Sequence, residues 1–119
     1  MFTDNCIKDW ECGINHQRET KLAQELIFLF NDFLKSIKIA TKSKSTRLRY
    51  KNSLHALGGH IIGNSISDND KENALTLLFK SITPYDGPLI YTDNEKWQKE
   101  IDLVCRKLFK YLDQKSIQL

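Results

Sequence analysis

Apolar residues recur at steps of three and four along most of the chain, which is the pattern of helices that bury one face. The clearest run lies in "ETKLAQELIFLFNDFLKSI" and predicts a first helix over about 17–37. Its apolar positions are Leu22, Leu26, Leu29, Phe30, Phe33 and Ile37. The same spacing, at Tyr50, Leu54, Leu57 and Ile61, predicts a second helix over about 44–63. We expect Ser43 or Ser45 to cap its start, because serine oxygens accept hydrogen bonds from the free N–H groups there.

Two more helices follow from the same periodicity. A third is predicted over about 70–82, opened by Asp68 or Asp70, with its apolar face at Ala74, Leu75, Leu78, Phe79 and Ile82. A fourth is predicted over about 93–114, with its core face at Trp97, Ile101, Val104, Cys105, Leu108 and Leu112. No segment alternates apolar and polar residues with a period of two, so we predict no sheet.

The remaining segments are predicted to be irregular. Both prolines lie in "TPYDGPLIYT", which therefore cannot be the interior of a helix; it is a connector, and we expect Tyr85 and Tyr91 to lie over the bundle. Residues 1–16 show no periodicity and are predicted to form a loosely held N-terminal arm. A chain of 119 residues has room for one core. The fold prediction is therefore all-α: a compact bundle of four main helices in a single domain, 1–119.

Gly58 and Gly59 lie inside the second predicted helix, where each costs about 0.8 to 1 kcal/mol relative to alanine. A close approach of another helix at this pair would offset the cost, and we favour that interpretation. A kink or a helix end at the pair is the alternative.

Composition and the N-terminal residues indicate where in the cell the protein is located. The longest run of large apolar residues, "LIFLF", is far shorter than the roughly 18 to 20 residues that span a bilayer. The N-terminus places Asp4, Lys8 and Asp9 where a secretory signal would need apolar residues. Three cysteines, an odd number, are typical of reduced thiols. We therefore predict a cytoplasmic protein with no membrane segment.

The residues that could act in catalysis or ligate a metal do not form a recognisable site in the sequence. There is no phosphate-cradling glycine loop, and "LGGH" lacks the spacing of a dinucleotide fingerprint. Cys6, Cys12 and His16 could join Cys105 around zinc only at spacings unlike those of structural zinc sites. We therefore predict no enzyme activity, no catalytic residue, no cofactor and no metal.

The order of charges along the second predicted helix is unusual. Helix N-termini carry about half a positive elementary charge and favour Asp and Glu, and the other three helices follow that rule. The second does not: between Phe33 and Ser67 there is no acidic residue, but there are seven cations. They are Lys35, Lys38, Lys42, Lys44, Arg47, Arg49 and Lys51. Each cation near the helix start should cost about 0.3 to 1 kcal/mol at low salt, and a bound anion would reverse that cost.

Four residues of this helix, at steps of three and four, form what we call the basic stripe: Lys44, Arg47, Lys51 and His55. At 100° per residue the stripe lies beside the core face and can stay exposed, while Arg49 points more nearly away from the core. Nucleic acid supplies phosphates in a row, which suits such a stripe. The predicted binding residues are Lys38, Lys42, Lys44, Arg47, Arg49, Lys51 and His55. The alternatives are an acidic protein surface as the partner, or a solvated face with no partner.

The stretch "FNDFLKSIKIATKSKSTRLRYKNSLHALGGHI" resembles the first two helices of the core-binding (SAM-like) domain of tyrosine recombinases. The matching positions are Phe30, Phe33, Leu34, Ser43, Thr46, Tyr50 and Leu54. The resemblance implies a helical domain that clamps duplex DNA, with Lys42, Lys44, Arg47, Arg49 and Lys51 facing phosphates. That family's catalytic domain has no room in 119 residues, so no tyrosine is expected to act as a nucleophile.

Most of the chain is also similar to a group of small uncharacterised bacterial proteins. The shared segments are Leu57-Gly58-Gly59 with Ile61-Ile62, "GPLI" at 87–90 and "CRKLFKYL" at 105–112. This resemblance implies no function. The resulting hypothesis is a non-catalytic module that binds nucleic acid, specifically duplex DNA, and is associated with mobile elements. The alternative is a helical interaction or inhibitor protein whose basic face meets an acidic partner.

Overall fold

The structure, a computed structural model, describes residues 2–3, 5–68 and 71–117. Over these residues the chain is helical and contains no strand, so the all-α prediction is confirmed. The helices are α1 (Asn5–Trp10), α2 (His16–Ser36), α3 (Lys44–Ser67), α4 (Ala74–Ser81) and α5 (Glu95–Ile117), with a 3₁₀ turn (Ile39–Thr41) between α2 and α3. The long helix α3 contacts each of the other four helices. None of the helices in these ranges is long and apolar enough to cross a bilayer.

The caps explain where the helices differ from the predicted bounds. Ser43 caps α3 as predicted, because its hydroxyl accepts a hydrogen bond from the Thr46 N–H at 3.3 Å. Helix α3 continues to Ser67, four residues past its predicted end, and Asp68 follows its last turn. The prediction that Asp68 opens the next helix is therefore wrong, and Asp70 lies outside the described residues. The side chain of Asn73 caps α4 instead, at 2.9 Å from the Thr76 N–H.

The N-terminal segment is part of the core, and the prediction of a loosely held arm is wrong. Phe2 and Trp10 are 4% and 3% exposed. The Phe2 ring packs 5.7 Å from the Phe30 ring, and its backbone N–H and carbonyl both bond the Asn31 side chain at 2.9 Å. Burial of two large aromatic side chains supplies a free energy that offsets the entropy lost when this segment is ordered.

Trp10 explains the glycine pair in α3. Its indole N–H donates to the His55 carbonyl at 2.9 Å, and its ring lies against Gly58 and Gly59. A Cβ at Gly58 would lie 2.4 Å from the nearest atom of that ring. The predicted close approach at the glycine pair is confirmed, and α1 is the helix that approaches.

Gly58→Ala is therefore expected to lower the free energy of unfolding by about 1 to 2 kcal/mol, since displacing the Trp10 ring outweighs the gain in helix propensity. Gly63→Ala is the matched control: it lies in the same helix and a Cβ there meets nothing within 4 Å. That variant should gain about 0.8 to 1 kcal/mol. Urea denaturation measures both, and equal gains in the two variants would show that Trp10 does not rest on Gly58.

Glu19 joins α1 to α2 although it is a charged residue with only 1% exposure. Its carboxylate accepts hydrogen bonds from four consecutive backbone N–H groups, those of Cys12, Gly13, Ile14 and Asn15. Burial alone would raise the pKa of Glu19, but the four N–H groups together outweigh it and lower the pKa below its ordinary value. The carboxylate thus holds the α1–α2 loop in one conformation.

The connector between α4 and α5 is fixed along α5 by one amide side chain. Gln98 accepts hydrogen bonds from the N–H groups of Ile90 and Tyr91, both at 3.0 Å, and donates to the Pro88 carbonyl at 3.0 Å. Tyr91 is thereby half-buried, as expected of a residue that covers the bundle. Tyr85 does not cover it and is 79% exposed.

Candidate nucleic-acid interface

The first two turns of α3 carry cations and no acidic residue. Lys44, Arg47 and Lys51, which we call the cation triplet, line a surface cavity of about 300 Å³ together with Leu48. Lys44 and Lys51 are exposed and Arg47 is half-buried. Within the described ranges, none of the three side chains forms an ion pair or a hydrogen bond. The triplet therefore presents three uncompensated positive charges to solvent.

Lys38 and Lys42 lie on the turn that leads into α3, and both are exposed. Lys38 adopts a left-handed backbone conformation with φ of 55°. Its carbonyl accepts a hydrogen bond from the Thr41 N–H at 2.9 Å, which closes the 3₁₀ turn. The two lysines therefore extend the positive surface from the start of α3 back towards the end of α2.

Arg49 belongs to a different surface from the cation triplet. Its Nε lies 3.6 Å from a carboxylate oxygen of Glu100, on α5. The prediction that Arg49 faces phosphates took no account of Glu100, because the contact between the two residues forms only when α5 packs along that side of α3. We therefore remove Arg49 from the set of uncompensated cations.

His55 is likewise engaged inside the protein, although it continues the basic stripe in sequence. Its Nε2 lies 3.2 Å from the Asp9 carboxylate, and its ring lies 5.8 Å from the Trp10 ring. Helix α1 thus covers the basic stripe at its C-terminal end. The stripe is shorter than its spacing predicted: among its four members, the first three meet solvent with no partner in the part of the chain that the structure describes.

A second cavity, of about 320 Å³, opens beside the cation triplet and was not predicted. It lies between α3, at Asn52 and Ser53, and the aromatic pair Tyr91 and Trp97. Trp97 was predicted to face the core but is 52% exposed. Its ring meets Tyr91 edge-on, with centroids 5.3 Å apart and planes at 77°. The only sequence signal for this cavity is the position of an aromatic residue in the first turn of α5.

Metal ligation gains no geometric support. Among the side chains that the structure describes, no three His, Cys, Asp or Glu residues are close enough to share a metal ion. Cys105 is buried, and burial raises the pKa of its thiol to about 12. The side chain of Cys6 lies outside the described part of the chain.

The segments that resemble small bacterial proteins have structural roles. Gly58 lies against Trp10, and Gly87 of "GPLI" lies so close to Cys105 of "CRKLFKYL" that a Cβ at Gly87 would be 2.5 Å from the sulfur. The resemblance to these bacterial proteins and the resemblance to tyrosine recombinases both remain predictions. Comparisons with protein-family models, with curated proteins and with solved structures find no match to this chain.

Proposed function

We propose that the protein is a non-catalytic nucleic-acid-binding module that holds duplex DNA by its phosphates through the N-terminal half of α3. The observation that carries this proposal is the cation triplet, whose side chains have no carboxylate partner among the described residues. Arg49 and His55, by contrast, are each matched to an acidic residue. The fold therefore pairs Arg49 and His55 with carboxylates and leaves the triplet without one among the described residues.

The position of the triplet strengthens the case for an anionic ligand. Lys44 is the first residue of α3 after the Ser43 cap. Free N–H groups and the helix dipole make such a position favourable for an anion and unfavourable for a cation. A phosphate bound here interacts favourably with the dipole and with the triplet at once, whereas water screens the repulsion only in part.

The proposed contact set is smaller than the predicted one. It keeps the five cations that are exposed or half-buried without an internal partner in the described ranges: Lys38, Lys42, Lys44, Arg47 and Lys51. The association with mobile elements rests on the resemblance to recombinases, and the cytoplasmic location rests on the N-terminal residues and the cysteines. Both are part of the proposal. No catalytic step is assigned to any residue.

Replacing the cation triplet by alanine is expected to flatten the slope of log affinity against log salt by up to about three units. Each phosphate contact contributes about 0.9 to that slope through released counterions. The measurement is fluorescence anisotropy of a labelled DNA duplex titrated with protein at several salt concentrations.

The matched control is a triple alanine variant of Arg106, Lys107 and Lys110, which are exposed on α5. It removes the same net charge from a different surface, so its slope should stay close to that of the parent. Equal losses in the two variants would show that net charge, and not this surface, controls binding. Absence of binding at low salt would refute the DNA-binding proposal.

A second candidate, an acidic protein partner, is favoured by one observation. Leu48 lies among the three cations and is 53% exposed, which is the arrangement of an apolar anchor inside a charged rim. Under this function the parent fails to bind duplex DNA even at low salt. The same DNA titration therefore separates the two candidates.

A further inference from the structure

The cavity beside the cation triplet has one aromatic wall and one polar wall. Lys51 directly precedes Asn52, and His55 follows one turn later, so the cavity begins where the triplet ends. Its volume, about 320 Å³, is at the lower end of the range of small-molecule sites, about 300 to 1,000 Å³. A ligand held by the triplet therefore has a recess of suitable size within reach.

The aromatic wall offers a surface for stacking. Edge-to-face packing against Tyr91 holds the Trp97 ring in place while about half of that residue stays exposed. Trp10, in contrast, is 3% exposed and has its N–H bonded to a carbonyl. Nucleobases stack on exposed aromatic rings whatever their sequence, because every base has a π face.

The polar wall contains groups that can form hydrogen bonds to a ligand. Ser53 is only 6% exposed and lines the cavity, yet its hydroxyl forms no hydrogen bond to any residue in the described ranges. The hydroxyl oxygen is reached by solvent at the cavity wall, so it can donate a hydrogen bond to a ligand there or accept one from it. Asn52 and Glu100 also line the cavity, and between them they offer both donors and acceptors.

The ion pair between Glu100 and Arg49 suits a ligand whose backbone is anionic. A free carboxylate at this cavity would repel a phosphate held by Lys51. With the Arg49 Nε 3.6 Å away, the charge of Glu100 is balanced and its oxygens remain acceptors for an amino group. Exocyclic amines of cytosine, adenine and guanine are donors of this kind.

We infer that this cavity binds one unpaired nucleobase, so that the preferred ligand is nucleic acid with an unpaired nucleotide next to the phosphates held by the cation triplet. The inference rests on the proposed nucleic-acid function and adds a substrate class to it. In a fully paired duplex the faces of each base are stacked and its edges are paired, so only the phosphate contacts remain. A single strand, or a duplex with an unpaired end, offers both kinds of contact.

The test compares a short single-stranded oligonucleotide with the corresponding duplex. Stacking should quench the emission of Trp97 when the single strand binds, and a fully paired duplex should leave it unchanged. Trp97→Ala should weaken single-strand binding about 5- to 150-fold, the value of one stacked base, and leave duplex binding within about twofold. Trp97→Phe keeps an aromatic ring against Tyr91 and should retain most of the affinity.

An abasic oligonucleotide of the same length serves as the matched ligand. It keeps every phosphate and lacks the bases, so it should bind the parent and Trp97→Ala equally well. If the single strand and duplex bind alike and Trp97→Ala changes neither, the inference about the cavity is wrong while the proposed DNA binding stands. If neither ligand binds at low salt, the proposed function and the inference are both wrong.

Discussion

Reversing the charge of Lys44 and Arg47 together, by Lys44→Glu with Arg47→Glu, is expected to stabilise the protein while weakening DNA binding about a hundredfold at about 0.1 M salt. The stability gain, about 0.5 to 2 kcal/mol at low salt, comes from placing negative charges at the positive end of the α3 dipole. The binding loss comes from two phosphate contacts, each worth roughly tenfold at that salt concentration. Urea denaturation and DNA titration of the same two proteins measure the two effects.

The contacts of Lys44 and Arg47 in the structure bear on the expected gain in stability. A double variant less stable than its parent would mean that Lys44 or Arg47 makes a native ion pair, and neither does so with a described residue. Lys107→Glu with Lys110→Glu, on α5, is the control for net charge, and it should neither stabilise the protein nor abolish binding. A solvated face without a ligand predicts the stability gain with no binding to lose. An acidic protein partner predicts that gain together with loss of the partner.

Replacing Glu19 by glutamine is expected to lower the free energy of unfolding at neutral pH by about 3 to 5 kcal/mol. One amide oxygen and one amide nitrogen replace two carboxylate oxygens, so the two backbone N–H groups bonded to the replaced oxygen lose a charged acceptor and face an amide donor. Each hydrogen bond to a charged group contributes about 1.5 to 3 kcal/mol. Denaturation curves of parent and variant at neutral pH give the difference.

The pH dependence of that difference identifies the carboxylate as its source. The pKa of Glu19 is lowered on folding, so its stabilisation is complete above the ordinary value of 4.5 and is lost as the pH falls below it. Hydrogen bonding by Tyr111 and Lys115 also lowers the pKa of Asp32, so the parent loses that contribution in acid as well. Glu19→Gln keeps Asp32, and the gap between the two proteins should therefore narrow below pH 4.5. A constant gap would show that Glu19 acts by packing alone.

Local periodicity predicted the four main helices because each buries a stripe of apolar side chains along its own length. It did not predict α1, which is too short to repeat a pattern. Trp10 is the large aromatic residue at the end of this helix, and only its tertiary contact with Gly58 reveals where that ring lies. The start of α4 was misplaced for a related reason: Asp68 and Asn73 are both good caps, and the length of α3 decides between them.

The candidate interface likewise has one part that the sequence predicted and other parts that depend on tertiary contacts. The spacing of Lys44, Arg47 and Lys51 along one helix is a local property, and it correctly brought these side chains together. The acidic partners of Arg49 and His55 lie on α5 and α1, far away in sequence, so no spacing rule could show that these two side chains are engaged inside the protein. The cavity at Trp97 depends on the path of the connector, which Gln98 fixes through hydrogen bonds that a sequence pattern does not encode.

Under the proposed function, the cation triplet is short relative to the whole molecule, and this limits how densely the protein can occupy a long duplex. From Lys44 to Lys51 the helix advances about 10 Å, or about three base-pair steps. The molecule measures 39 × 37 × 27 Å, so neighbouring copies along one face of the duplex collide before adjacent phosphates are all used. Even at its narrowest, one copy covers about 16 phosphates and offers five cations to them. Under that function, a duplex with one such row of copies along it would keep about two thirds of its charge, available to other cationic ligands.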